Sequence, residues 1–220
     1  MQNTVKERLL QIKHEIAPSQ PRIIAITKYF DETRLIEAYE AGLRDFGENR
    51  VLDALNKFSK LPKEITETST FHLVGHLQTN KVKKAVGNFD YIHSVDSLKL
   101  LEAIDSEAKK RNIVQKVMIQ VNNANEVQKY GLSIDKVVDL FSKITDYTNC
   151  EVKGLMNIAP VDASTSELEK LFSQVRDLKS ELERTFKIKL EELSMGMSND
   201  YKIAAQQGST MLRIGRKLFS

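Results

Sequence analysis

The feature that most constrains this chain is an alternation. Short β-branched or apolar runs recur along it, and a polar turn and a stretch with helical spacing separate each run from the next. The runs predict strands at 22–27, 43–46, 71–74, 91–95, 116–121, 152–157, 192–194 and 211–214. Between them, helical spacing covers 31–41, 48–60, 78–86, 97–110, 133–145, 164–185 and 198–207. A further helix at 3–16 precedes the first strand, with Val5, Leu9, Ile12 and Ile16 spaced by three and four; Pro18 and Pro21 end it. Strands that alternate with helices form parallel βαβ units with right-handed crossovers. Eight strands in 220 residues favour a closed (β/α)8 TIM-type barrel with an extra N-terminal helix. An open doubly wound sheet is the alternative, weakened because no G-x-G-x-x-G follows the first strand.

Composition narrows the class. A length of 220 residues suits one domain, 1–220, and no Pro/Gly/Ser-rich linker divides it. Thirty-three basic against 30 acidic residues leave a net charge of +3, too little for a nucleic-acid coat or a polybasic membrane binder. With 41% hydrophobic and 29% charged residues the chain reads as folded rather than disordered. Cys150 is the single cysteine, so neither an intramolecular disulfide nor a Cys-rich zinc site is possible. The N-terminus shows no apolar signal segment, and no apolar run approaches the roughly 20 residues that span a bilayer. The expectation is a soluble, cytoplasmic protein. No long apolar strip demands a dimer, which favours a monomer.

In such a barrel the chemistry sits at the C-terminal ends of the strands. Lys28 directly follows the first strand. An amine in a partly desolvated mouth has a lowered pKa and can form a Schiff base with a carbonyl; the alternative is a solvated lysine at a strand end. Residues 194–198, Ser-Met-Gly-Met-Ser, read as a glycine-containing turn with Ser198 as the N-cap of the next helix. That is either a phosphate cradle of backbone N–H groups and a hydroxyl or an ordinary capped helix. Gly215, just past strand 8, fits the same cradle, since a Cβ there could block close backbone approach. Arg213 alternates with Leu212 and Ile214 and so points to the opposite face. It reads as a partner for an aromatic nitrogen or an anion, or as half of a structural ion pair. His72 and His76 have i, i+4 spacing, but Gly75 and the strand at 71–74 argue against a helical metal site, and no metal is expected. Cys150, placed before strand 6, reads as an inert thiol.

Several of these residues lie in motifs that follow one another in order. They are Ile26-Thr-Lys28, Phe46-Gly-Glu-Asn49, Gly75-His-Leu-Gln-Thr-Asn-Lys81, Ile92-His-Ser-Val-Asp96, Gly154-Leu-Met156, Leu193-Ser-Met-Gly-Met-Ser198 and Arg213-Ile-Gly215. From about residue 22 to 219 the chain resembles the pyridoxal-phosphate homeostasis proteins, single-barrel relatives of the alanine racemase N-terminal domain. The resemblance implies pyridoxal 5′-phosphate (PLP), held as an internal aldimine on Lys28. It implies phosphate contacts from Ser198 and the backbone around Gly215 and Arg216, and Arg213 at the pyridine nitrogen. Asn49, Met156 and Met197 are implied to line the pocket. Lys129 matches a family lysine near the mouth, a second amine for incoming or outgoing cofactor. The chain departs from the family pattern at Arg216, where many relatives carry a hydroxyl, and at Tyr29-Phe30, Phe71 and Arg50.

The function implied is a carrier or buffer of PLP, without robust catalysis, that delivers cofactor to apo PLP-dependent enzymes. Two alternatives are a PLP-dependent amino-acid racemase and a cofactor-free aldolase-like barrel. The racemases this barrel resembles have a second, β-rich domain that supplies an opposing base. The chain ends at Ser220, directly after strand 8, which favours the carrier.

Overall fold

A computed structural model describes residues 4–124, 126 and 128–220. Eight parallel strands close into a barrel in chain order: β1 (Arg22–Ile26), β2 (Asp45–Glu48), β3 (Thr70–Leu73), β4 (Tyr91–Val95), β5 (Gln115–Val121), β6 (Cys150–Asn157), β7 (Glu192–Met197) and β8 (Met211–Ile214). β8 pairs with β1 in parallel, with Ala25 opposite Ile214, and this pairing completes the ring. The open-sheet alternative is thereby excluded.

Ten α-helices are described. They are α1 (Val5–Glu15), α2 (Glu32–Glu40), α3 (Val51–Phe58), α4 (Lys63–Thr68), α5 (Val82–Ala85), α6 (Leu98–Lys110), α7 (Ile134–Phe141), α8 (Thr165–Phe186), α9 (Tyr201–Gln206) and α10 (Arg216–Phe219). The starts of α1, α2, α6 and α8 follow from side chains of Thr4, Asp31, Ser97 and Ser164 that accept from free N–H groups. Ser164 and Glu167 form a capping box on α8, as Thr4 and Glu7 do on α1. Along α8, Leu168, Phe172, Val175, Leu178 and Leu182 are buried, a single stripe laid on the sheet. α1 packs against α2 and α10. Among the described residues, no helix is long and apolar enough to cross a membrane.

The chain departs from the sequence expectations at several boundaries. The second strand begins at Asp45, not at 43. Leu43 N–H bonds the Ala38 carbonyl (3.0 Å) and Gly42, at φ +99°, bonds Tyr39 (2.9 Å), so Leu43 closes α2 instead of pairing. Helices α4 and α10 were not anticipated; both are too short to show a periodic pattern. Cys150 opens β6 and does not precede it.

The largest departure is at β7, which continues to Met197 where a turn was expected from 194. Ser194 pairs with Met211 and Met197 with Arg213, so β7 carries one extra residue between them. This bulge is possible because Gly196 holds φ +87°, and a Cβ there would lie 2.4 Å from that of Ala204.

Two apolar layers result. The larger lies between sheet and helices and includes Leu212 and Ile214. The smaller fills the barrel and contains Ile24, Tyr91, Met118, Met156 and Met211. Every residue of β4 and β8 is buried, as expected for strands covered on both faces.

Candidate functional site

At the C-terminal end of β1 the chain turns through Lys28 and Tyr29, closed by Phe30 N–H on the Thr27 carbonyl at 3.0 Å. Beneath the turn lies a buried trio. Lys57 Nζ donates to Glu48 Oε1 (2.5 Å) and to the Thr27 carbonyl (2.7 Å), and Thr27 Oγ1 donates to the same Glu48 oxygen (2.6 Å). This trio, which the sequence reading did not single out, anchors the backbone that carries Lys28. The Lys28 side chain itself is exposed, with Nζ 4.8 Å from the Tyr29 ring centroid. The expectation of a partly desolvated amine is therefore not met, because the turn projects the side chain beyond the strand end.

The Phe30 ring packs against Phe219 at 4.9 Å, which joins the Lys28 turn to α10. There Ser198 Oγ accepts the N–H groups of Gly215 and Lys217, each at 3.3 Å. Ser198, Gly215 and Arg216 are thus brought together, as the sequence suggested, and Lys217 joins them unforeseen. A cleft of about 570 Å³ opens here, and Arg8, Gln11, Ser198, Arg216, Lys217 and Ser220 are among the residues that line it. Ser198 is not a helix N-cap. Asp200 takes that position on α9, and its Oδ1 accepts the Met197 N–H at 2.5 Å. Gly215 sits at φ −113°, and a Cβ there would make only an ordinary 3.4 Å contact with the Ile26 carbonyl. The protein backbone therefore does not itself require glycine at 215.

Arg213 lies on the face of β8 opposite Leu212 and Ile214, as its alternation predicts, and that face, shared with Met211, is the barrel interior. Nη1 donates to the Ser194 carbonyl and Oγ, both at 2.6 Å, and Nη2 to the Asn157 carbonyl at 2.7 Å. Among the described residues, no acceptor meets the Nε–H, which leaves a buried guanidinium with donating capacity to spare. Burial pushes the Arg213 pKa down to about 10, opposed by Asp200, so the group stays charged at neutral pH. Asn157 Oδ1 is buried without a hydrogen-bond partner among the described residues.

The remaining candidates are scattered. Asn49 follows β2, half-buried, with its backbone against Gly75; a Cβ at Gly75 would lie 2.2 Å from the Asn49 carbonyl oxygen. Met197 is half-buried at the end of β7, whereas Met156 is fully buried in the barrel interior. Lys129 pairs with the Glu126 carboxylate and donates to the Ala159 carbonyl at 3.3 Å. His72 and His76 do not share a face. His76 Nδ1 meets Asp96 at 3.1 Å and its ring stacks on Tyr130, while His72 lies inside the barrel, 2.9 Å from His93. Cys150 is half-buried, its pKa pushed up to about 12 by burial. The inward His72 on β3 was detectable in principle, since it occupies an alternate position between apolar Phe71 and Leu73, whereas His93 on β4 has Ser94 on one side and carries a weaker signal.

The alanine racemase N-terminal domain family matches residues 2–220. A pyridoxal phosphate homeostasis protein of Aquifex aeolicus is 37% identical over 198 residues, covering 90% of this chain and 86% of the relative. The human protein of that name is 34% identical over 225 residues, covering 98% and 82%. The chain belongs to the pyridoxal phosphate homeostasis family. Among solved structures, PipY of Synechococcus elongatus with PLP bound has a TM-score of 0.88 and 36% identity, covering 98% of this chain and all (100%) of PipY. PipY without PLP superposes with a TM-score of 0.92. An alanine racemase of Clostridium difficile, at 14% identity and a TM-score of 0.79 over 56% of its length, shares the barrel fold alone.

Proposed function

We propose that this chain binds PLP at the C-terminal mouth of the barrel, attached through Lys28, and holds it for delivery to other proteins rather than for robust catalysis. The observation that carries this reading is the meeting of three chemistries at one barrel end. These are the Lys28 amine, the spare donor of Arg213, and the backbone N–H groups of Gly215 and Lys217 beside Ser198 Oγ. Membership of the homeostasis family and likeness to PLP-bound PipY support it.

The residues present fit the cofactor. Gly215 and Lys217 N–H groups with Ser198 Oγ suit phosphate oxygens, and the exposed Arg216 adds a guanidinium where many relatives have a hydroxyl. The unused donor of Arg213 suits a ring nitrogen. Asn49 and Met197 form part of the rim, and Met156 supports the floor from within the barrel. Lys129 is a reserve amine, currently held by Glu126.

Bound there, PLP supplies an aldehyde that bonds amines and a ring that draws electrons from an attached carbon. Arg213 only donates and stays charged, so it does not protonate the ring nitrogen as a carboxylic acid could. Such a site retains the cofactor while giving carbanion chemistry weak support. On this reading residues 1–220 act as one unit, a cytoplasmic monomer whose partners are PLP and apo PLP-dependent enzymes, with no nucleic acid or membrane involved.

The test is the absorbance of the purified full chain after PLP is added and the excess removed. Wild type and Lys28→Ala are compared, with and without borohydride, and intact mass is measured. Wild type should keep a chromophore that borohydride fixes as added mass, and Lys28→Ala should not. Equal uptake by both, or none by either, would refute Lys28 as the attachment point. Sustained interconversion of alanine enantiomers would replace the carrier with the racemase.

A further inference from the structure

A line of buried polar side chains crosses the barrel interior beneath the mouth. His72 Nε2 lies 3.0 Å from Asp45 Oδ1, near the N-terminal face. His72 Nδ1 lies 2.9 Å from His93 Nε2, and His93 Nδ1 lies 3.0 Å from Ser194 Oγ. Ser194 Oγ is 2.6 Å from Arg213 Nη1. The line runs from β2 through β3 and β4 and across the barrel to β7 and β8. Both imidazoles and the Ser194 side chain are fully buried.

The chemistry of its two ends dictates the direction of every bond in it. An ionised Asp45 can only accept, so His72 carries its proton on Nε2. A neutral His72 then accepts at Nδ1, so His93 donates from Nε2. A neutral His93 accepts at Nδ1, so the Ser194 hydroxyl donates. Arg213 can only donate, and Ser194 Oγ has a lone pair left to receive it. The assignments made from the two ends meet at Ser194 without conflict. With His93 protonated on Nε2, adding a proton to His72 would set two N–H groups against each other at the 2.9 Å contact. Burial also opposes charge on both rings.

We propose that Asp45, His72, His93 and Ser194 are positioning residues that form a one-way hydrogen-bond relay, which orients Arg213 as a pure donor at the mouth and carries the occupancy of the mouth to the opposite face of the barrel. The proposal rests on the reading of the mouth as a PLP site. A ligand that accepts from Arg213 draws on the same guanidinium whose Nη1 holds Ser194, so the change is felt along the line. Tyr91 stacks on His72 with ring centroids 5.0 Å apart, and Arg22 lies 3.5 Å from Asp45, which places the far end among residues at the N-terminal ends of β1, β2 and β4.

The test is imidazole nitrogen NMR of the 15N-labelled full chain, with PLP as the probe. Signals are assigned with single His→Gln variants. In the unloaded protein both His72 and His93 should be neutral with the proton on Nε2. On loading with PLP the His72 signals should shift. Ser194→Ala, loaded to the same stoichiometry, should lose that shift, and Ser194→Thr, which keeps the hydroxyl, should restore it. A proton on Nδ1 of either ring, or a doubly protonated ring, would overturn the relay. So would an unmoved His72 in loaded wild type, or a full shift in Ser194→Ala. If wild type takes up no PLP, the reading of the mouth fails, with the coupling that depends on it. The tautomers of the unloaded protein still decide whether the directed line exists.

Discussion

Lowering the pH from about 7.5 to about 5.5 should weaken the fold through its two buried histidines. His93 is wholly enclosed, and burial first, then His72 and Arg213, hold its pKa well below the ordinary value. His72 is lowered by burial, opposed by Asp45. A group whose pKa is lower folded than unfolded binds more protons in the unfolded chain, so stability rises with pH across the gap. Here stability is fully present above the unfolded imidazole value of about 6.5 and is lost as pH falls below it. An imidazole that stays neutral throughout costs about 1.4 kcal/mol between those two pH values. His93 alone thus sets a loss of about 1.4 kcal/mol, and full suppression of both sets about 2.7 kcal/mol. Carboxylates such as Glu183 and Glu191, whose pKa values are lowered, lose their contributions further down, below about 4.5. Urea unfolding at the two pH values measures the difference, and His93→Gln should remove about 1.4 kcal/mol of it. A flat stability between them, or an undiminished loss in His93→Gln, would refute the argument.

Three further outcomes are expected. Lys57→Met should destabilise the protein by about 3–5 kcal/mol in urea unfolding, because Glu48 is left charged and buried without its partner. Adding Glu48→Gln should recover part of the loss, and a cost below about 1 kcal/mol would show the pair to be solvated. Cys150, with its pKa pushed up to about 12, should resist a disulfide reagent in the native protein at pH about 8 and react on unfolding; equal rates would contradict its burial. Gly154→Ala should cost about 3 kcal/mol or more in thermal or urea unfolding, since its Cβ would fall 1.8 Å from the Glu192 carbonyl oxygen where β6 and β7 meet. A near-wild-type midpoint would mean that the two strands separate easily.

Much of the frame was legible because periodicity is local. The alternation of apolar runs and helical stripes needs only neighbouring residues to be read, and it yields eight strands and their order. The Leu43 shift shows where that ends. An apolar residue after a helix serves a Schellman closure as well as a strand, and only the Ala38 contact decides between them. The candidate site divides in the same way. Lys28, Ser198, Arg213 and Gly215 were visible because strand ends define the mouth, and the order of the motifs pointed to the family. Lys217 went unseen because its part is played by a backbone N–H, which no side-chain pattern marks.

What the sequence by itself determined is the alternation of eight strands with helices, the residues at the strand ends and the placing of Arg213 on the face of β8 opposite Leu212 and Ile214. Each of these follows from a period of two along strands and of about 3.6 along helices. Only the tertiary structure decided that Lys28 stands exposed over a buried Glu48–Lys57 pair. It also decided that a bulge at Gly196 carries β7 through the expected turn, and that Asp45, His72, His93, Ser194 and Arg213 form one line. Those residues lie on five different strands, up to 168 positions apart between Asp45 and Arg213 (213 − 45). Closing the barrel brings them within hydrogen-bond reach, and no local pattern encodes a distance that ring closure alone creates.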